Sequence, residues 1–213
     1  MKIRKEDMLL YVVTDRTWLG ENKLIDQVVE IVKAGATCIQ LREKSMPLKD
    51  FIEEAREIKQ ITDAYKIPFI INDNVEVAAA VDADGVHLGQ GDENIASVRK
   101  KLGKDKIIGL SVHNVEEALA AVEQGADYLG VGAVFETSTK KDAKALPLET
   151  LKAICDAVTI PVVAIGGISK QNILRLSGTG VDGAAVISAI FAQPDLTEAT
   201  REMLRLANKL TNK

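Results

Sequence analysis

Eight times along 213 residues, a short apolar run is followed by a segment whose apolar residues recur at helical spacing. The runs cover residues 9–13, 36–41, 69–71, 85–89, 107–111, 128–134, 162–165 and 184–187. Most are continuous rather than alternating, the pattern of parallel strands covered on both faces. Parallel neighbours need a crossover between them, and the intervening segments supply it: Leu24, Val28, Ile31 and Val32 form one helical stripe, and Phe51, Ala55, Ile58 and Ile61 another. Pro47 is placed to open the second helix, Asn114 with Glu117 to form a capping box, and Ser169 to cap a helix after the seventh strand. This alternation predicts an α/β fold, a single (β/α)8 TIM barrel spanning residues 1–213. An open doubly wound sheet has the same periodicity, but a dinucleotide-binding version needs a glycine-rich turn after strand one. Here Gly166 and Gly167 follow strand seven instead, where a barrel keeps its phosphate site.

The strings KAGATCIQL, DADGVHLG, EQGADYLGV and TGVDGAAV form a weak internal echo, each passing through a small residue into a strand. They point to repeated βα units rather than recent duplication. A hydrophobic share of 46% with 27% charged residues suits one globular core, and no apolar run is long enough to cross a bilayer. In MKIRKEDMLLYVVTD, basic residues precede an apolar run, but Asp15 closes it without a small-residue cleavage site; a strand is expected, not a signal peptide. The net charge of -4, without a basic block, argues against a nucleic-acid partner. Cys38 and Cys155 lie far apart in no metal spacing and read as reduced core residues of a cytoplasmic protein. These features admit a homo-oligomer.

Function is carried by the polar residues just beyond the strands. Arg42, Glu43 and Lys44 come after strand two, Asn72 and Asp73 after strand three, and Gln90 and Asp92 after strand four. Ser111 and His113 end strand five, Thr137, Ser138, Thr139 and Lys140 come after strand six, and Ser188 after strand eight. In a barrel all of these share the catalytic rim. Asp73 and Asp92 read equally as helix caps and as ligands of a divalent cation, and the shared rim favours the cation. Arg42 and Lys44 could be solvated surface charges, but opposite those acids they suit a phosphorylated ligand. His87 interrupts an apolar strand and reads as a hydrogen-bonded interior histidine. Acids beside cations imply Mg2+ on a diphosphate, and the backbone at Gly167, Ile187 and Ser188 implies a separate monophosphate. No serine, histidine and aspartate constellation marks a covalent nucleophile.

QLREK at 40–44, IINDN at 70–74, GVHLGQGD at 85–92, GLSVH at 109–113, TSTKK at 137–141, AIGGI at 164–168 and VISAI at 186–190 resemble, in order, the motif series of the thiamine phosphate synthase family. The resemblance implies a cytoplasmic transferase joining a hydroxymethylpyrimidine diphosphate to a thiazole phosphate, with release of pyrophosphate by a dissociative mechanism. It implies Asp73 and Asp92 as Mg2+ ligands. Gln40, Leu41, Arg42, Glu43, Lys44, Asn72, Ser111 and Lys140 would form the pyrimidine-diphosphate site. Thr137, Ser138, Thr139, Gly167, Ile187 and Ser188 would form the thiazole-phosphate site. Arg42, Lys44, Ser111 and Lys140 take the catalytic roles. Two positions depart from the family pattern: Gly91 stands where a second acid is common, and Glu136 where a proline is common. Two other readings share the barrel, a thiazole tautomerase that tends to lose the diphosphate-binding set, and a phosphate-binding regulator without turnover. The polar stretch 137–144 has the length of a lid.

Overall fold

The computed structural model describes residues 3–137 and 145–211. Eight parallel strands close into a barrel in chain order: β1 (Leu10–Val13), β2 (Cys38–Leu41), β3 (Phe69–Asn72), β4 (Gly85–Leu88), β5 (Ile107–Val112), β6 (Tyr128–Gly132), β7 (Val162–Ile165) and β8 (Gly183–Val186). The helices outside it are α1 (Leu24–Ala34), α2 (Leu48–Tyr65), α3 (Val75–Ala80), α4 (Ile95–Leu102), α5 (Val115–Glu123), α6 (Leu148–Ala157), α7 (Ser188–Phe191) and α8 (Leu196–Thr211). The expected (β/α)8 barrel is therefore the fold. Among the described residues no helix is long and apolar enough to cross a membrane.

Strand alternation divides the core in two. Leu10, Val12, Ile39, Leu41, Phe69 and Ile71 face outward into the shell beneath the helices. Tyr11, Val13, Cys38, Ile70, Tyr128 and Val163 point into the barrel, where a short 3-10 turn, Glu6–Met8, brings in Met8. Each fully buried aliphatic side chain stabilises this arrangement by roughly 1.5–3 kcal/mol before entropy is counted. Pro47 stands at the N-cap of α2, and Asn114 caps α5 by accepting from the Glu117 N–H at 2.8 Å.

The internal echo has a structural cause. Thr37, Asp84, Asp127 and Asp182 each precede an even-numbered strand, and each side chain accepts the backbone N–H of the facing residue on the preceding odd strand. The donors are Leu10 (2.9 Å), Phe69 (2.9 Å), Ile108 (2.8 Å) and Val162 (3.0 Å). The N–H of each echo residue donates in return to the carbonyl of that same partner. Two residues earlier the backbone turns left-handed, at Gly35, Asp82, Gly125 and Gly180. Strands are thereby clasped in pairs, β1 with β2, β3 with β4, β5 with β6 and β7 with β8.

One expected element is reduced. Between β7 and β8 the chain makes only a 3-10 turn, Ile173–Leu176, and not an α-helix capped by Ser169. The Asn172 amide ties the approach back on itself, accepting from the Ser169 N–H at 2.8 Å and donating to the Gly167 carbonyl at 2.8 Å. Gly178 and Gly180, both at positive φ, follow at once, so no room is left for further helical turns.

Candidate active site

The carboxyl ends of the strands open into a cavity of about 1010 Å³. Its wall includes Gln40, Arg42, Lys44, Asn72, Asp73, Asp92, Ser111, Thr137, Gly167, Ile187 and Ser188, so one mouth gathers the larger part of the rim residues expected from the sequence. Two do not reach it. Leu41 is fully buried in the outer shell, because alternation turns it away from its neighbour Gln40. Glu43 turns outward to Arg16, 2.7 Å away, and Arg16 also bonds Glu54. Ser138, Thr139 and Lys140 lie outside the described residues. Glu136 is exposed and lines no part of the cavity, so its charge is not added to the wall.

The two aspartates are not helix caps. Asn74 caps α3 by accepting from Val77, and Asn94 caps α4 by accepting from Ser97, both at 2.9 Å. Asp73 sits at φ +61, a left-handed turn between β3 and the Asn74 cap. Its N–H donates to the His87 carbonyl at 2.8 Å, which ties the ends of β3 and β4 together. Its carboxylate receives the Lys44 ammonium at 2.7 Å. Asp92 accepts the Gly89 N–H at 2.6 Å. Burial holds Asp92 above the usual carboxylate range, and the adjacent Asp73 charge adds to this, while the Gly89 N–H and Lys44 oppose it. Two mutually repelling carboxylates beside one ammonium suit a divalent cation. Among the described residues no group of three or more His, Cys, Asp and Glu could hold a metal ion. Asp73 and Asp92 would thus leave most of its coordination to water and ligand oxygens, the habit of Mg2+.

Arg42 is held by Asp15 at 3.3 Å and through its N–H by Thr14 at 3.0 Å. Across the mouth Gly166 and Gly167 adopt φ +100 and +65. A Cβ on Gly167 would lie 2.2 Å from the Glu136 carbonyl oxygen, and one on Gly166 2.5 Å from the Ala133 Cβ. Only glycine fits there, and the bare backbone remains for a ligand. His113 reaches the wall too, but its Nδ1 lies 3.0 Å from Glu117 in the first turn of α5.

A buried polar side chain forms part of the floor. His87 lines the cavity between Tyr128 Oη and Ser111 Oγ, each at 2.9 Å. Burial lowers its imidazole to about 4, against a weaker opposing pull from Asp73, so the ring is neutral at neutral pH. The hydrogen-bonded interior histidine expected from the sequence is thus found, and it also faces the site. Its place in an apolar strand directly opposite Asn72 was the available signal.

In barrels of this kind the strand ends that carry these groups are where chemistry is done, so fold and mouth place the molecule among the (β/α)8 enzymes. A family model described as TMP-TENI, thiamine monophosphate synthase, matches residues 10–190. A thiamine-phosphate synthase of Clostridium acetobutylicum is 49% identical over 211 residues, covering 99% of this chain and 100% of that protein. The namesake of Clostridium tetani is 49% identical over 203 residues, covering 95% and 97%. The solved structure of a thiamine phosphate pyrophosphorylase from Pyrococcus furiosus superposes with a TM-score of 0.90 at 43% identity, covering 98% and 99% of the two chains. The chain belongs to the thiamine monophosphate synthase family and is a transferase.

Proposed function

We propose that this enzyme makes thiamine phosphate from a hydroxymethylpyrimidine diphosphate and a thiazole phosphate, releasing pyrophosphate, with Mg2+ as cofactor and the cytoplasm as its place of work. The observation that carries the reading is the convergence of Arg42, Lys44, Asp73 and Asp92 on one wall of the cavity that Gly167 and Ser188 line as well. A thiazole tautomerase has no use for the first four.

In this reading Arg42 and Lys44 leave Asp15 and Asp73 to bind the diphosphate oxygens. Gln40, Asn72 and Ser111 orient the pyrimidine. Asp73 and Asp92 hold the Mg2+, whose chemistry when bound is neutralisation of charge on the leaving group. The bond between the pyrimidine methylene carbon and the diphosphate oxygen breaks, and both electrons leave with the oxygen. Arg42 and Lys44, joined by Lys140 as the family motif implies, stabilise that growing charge. The thiazole nitrogen then gives its lone pair to the methylene carbon. Thr137, Ser138, Thr139 and the backbone at Gly167, Ile187 and Ser188 hold the thiazole phosphate in line. No proton moves in either step, so no general base is required.

The test supplies both substrates and Mg2+ to the purified protein and follows pyrophosphate and thiamine phosphate together. Equal release of the two, abolished by EDTA, is expected. Substitution Asp73→Ala should lower turnover on the order of a hundredfold or more. Thiazole isomerisation without pyrophosphate release would replace this reading with the tautomerase.

A further inference from the structure

Two cations of the cavity wall stand on either side of an anion in the chain. Arg42 and Lys44 line the cavity, and Glu43 between them does not. Arg16, in the loop between β1 and α1, holds Glu43 away. Its Nε donates to Glu43 Oε1 at 2.7 Å, and its Nη2 donates to Glu54 Oε1 on α2. The Glu43 side chain is only 7% exposed, so water cannot stand in for this partner. Among the described residues no cation other than Arg16 forms an ion pair with Glu43 or Glu54. Glu54 Oε2 is buried and has no hydrogen-bond partner among them either. Burial holds Glu43 above the usual carboxylate range; Arg16 pulls against this, and Glu54 adds to it. Arg16 is itself fixed by its own loop, where the Thr17 N–H donates to Asp15 Oδ1 at 2.8 Å and the Leu19 N–H to the Arg16 carbonyl at 3.1 Å.

Without Arg16, Glu43 and Glu54 would face each other with no counter-charge, and like charges repel. The cations next to Glu43 in the chain are Arg42 and Lys44. A carboxylate one residue from each is tethered to them at high effective concentration. Arg42 already carries Asp15 at 3.3 Å, and Lys44 carries Asp73 at 2.7 Å. An incoming anion must displace those two, and a third carboxylate would compete for the same donors. Keeping Glu43 outside is therefore a condition for an open anion site.

We infer that Arg16 is a positioning residue that latches Glu43 beside Glu54 and so keeps an intramolecular competitor away from Arg42 and Lys44. Arg16 lines no part of the cavity, so it acts only through Glu43. The inference rests on the synthase reading for the identity of the anion, a diphosphate. The latch itself needs only that Arg42 and Lys44 bind one.

Inorganic pyrophosphate with Mg2+, titrated by calorimetry, probes the site without turnover. Arg16→Met should weaken its binding on the order of tenfold, the effect of a site closed by Glu43 about nine-tenths of the time. In the steady state the KM for the pyrimidine diphosphate should rise in proportion, while that for the thiazole phosphate stays within about twofold. In a Glu43→Gln background, which has no competing carboxylate, Arg16→Met should cost less than about threefold. A role in packing alone would give no such recovery. Arg16→Lys keeps one charge and covers the case in which Arg16→Met does not fold; it should show a smaller loss, removed by the same second substitution. Equal losses with and without Glu43→Gln, an unchanged Kd in both Arg16 variants, a parallel rise in the two KM values, or no pyrophosphate binding by the wild-type protein would overturn the inference. If the wild-type protein binds pyrophosphate and the variants behave as expected, yet no thiamine phosphate forms, the synthase reading falls and the latch stands.

Discussion

A neutral imidazole inside a barrel makes the fold sensitive to acid. His87 titrates at about 4 in the folded chain because burial disfavours its charged form, against 6.5 for an ordinary histidine. Between these values the unfolded chain binds a proton that the folded chain does not, so stability rises with pH across this window. The contribution is complete above pH 6.5 and is lost as the pH falls towards 4, amounting to about 2 kcal/mol already at pH 5. Urea unfolding midpoints at pH 7 and pH 5 should therefore differ more for the wild-type protein than for His87→Gln. Equal differences in the two proteins would mean that other groups carry the acid sensitivity. Of the two departures from the family pattern, Glu136 is exposed away from the cavity, whereas Gly91 lines it and is exposed beside Asp92. A cation bound there would have Asp73 and Asp92 as its acids in this wall.

At the scale of strands and helices, the clasps at Thr37, Asp84, Asp127 and Asp182 join each odd strand to the next. Asp127 is the best anchored, with Arg99 at 2.7 Å. Asp127→Ala leaves the Ile108 N–H without its acceptor and should cost about 1–3 kcal/mol in urea unfolding. Asp127→Asn keeps an oxygen in place and should cost less, and an equal loss in both would show the charge to matter more than the hydrogen bond. The strands were legible because continuous apolar runs admit little else, and the rim was legible because polar residues recurred where those runs stopped. The side chains of Leu41 and Glu43 lie off the cavity wall because nearness in sequence to Gln40 and Arg42 does not carry across a strand whose side chains alternate, or around a turn. The reduced helix after β7 escaped because Ile173 and Leu176 satisfy a 3-10 turn as well as an α-helix. The interior contact between Tyr11 and Tyr128 could not be read at all. Tyr11 and Tyr128 are 117 residues apart and each suits a buried strand on its own, so only closure of the barrel brings their hydroxyls together.

Across the whole molecule, the cavity opens at one end of the barrel and the clasps lie at the other. The clasps leave seams between β2 and β3, β4 and β5, and β6 and β7, and between β8 and β1, where the ladder continues without them. One seam is marked by the exposed residues Gly103, Lys104 and Asp105. A chain divided after Lys104 and co-expressed as two pieces should recover pyrophosphate release, each piece keeping two whole clasps. Division between β3 and β4, inside the clasp of Phe69 and Asp84, should recover far less. Similar recovery from both divisions would mean that the clasps do not define separable units. Since Arg42, Lys44, Asp73 and Asp92 all fall in the first piece and Gly167 and Ser188 in the second, neither could work alone. Turnover would then report that two polypeptides had met, making the enzyme a sensor of their encounter.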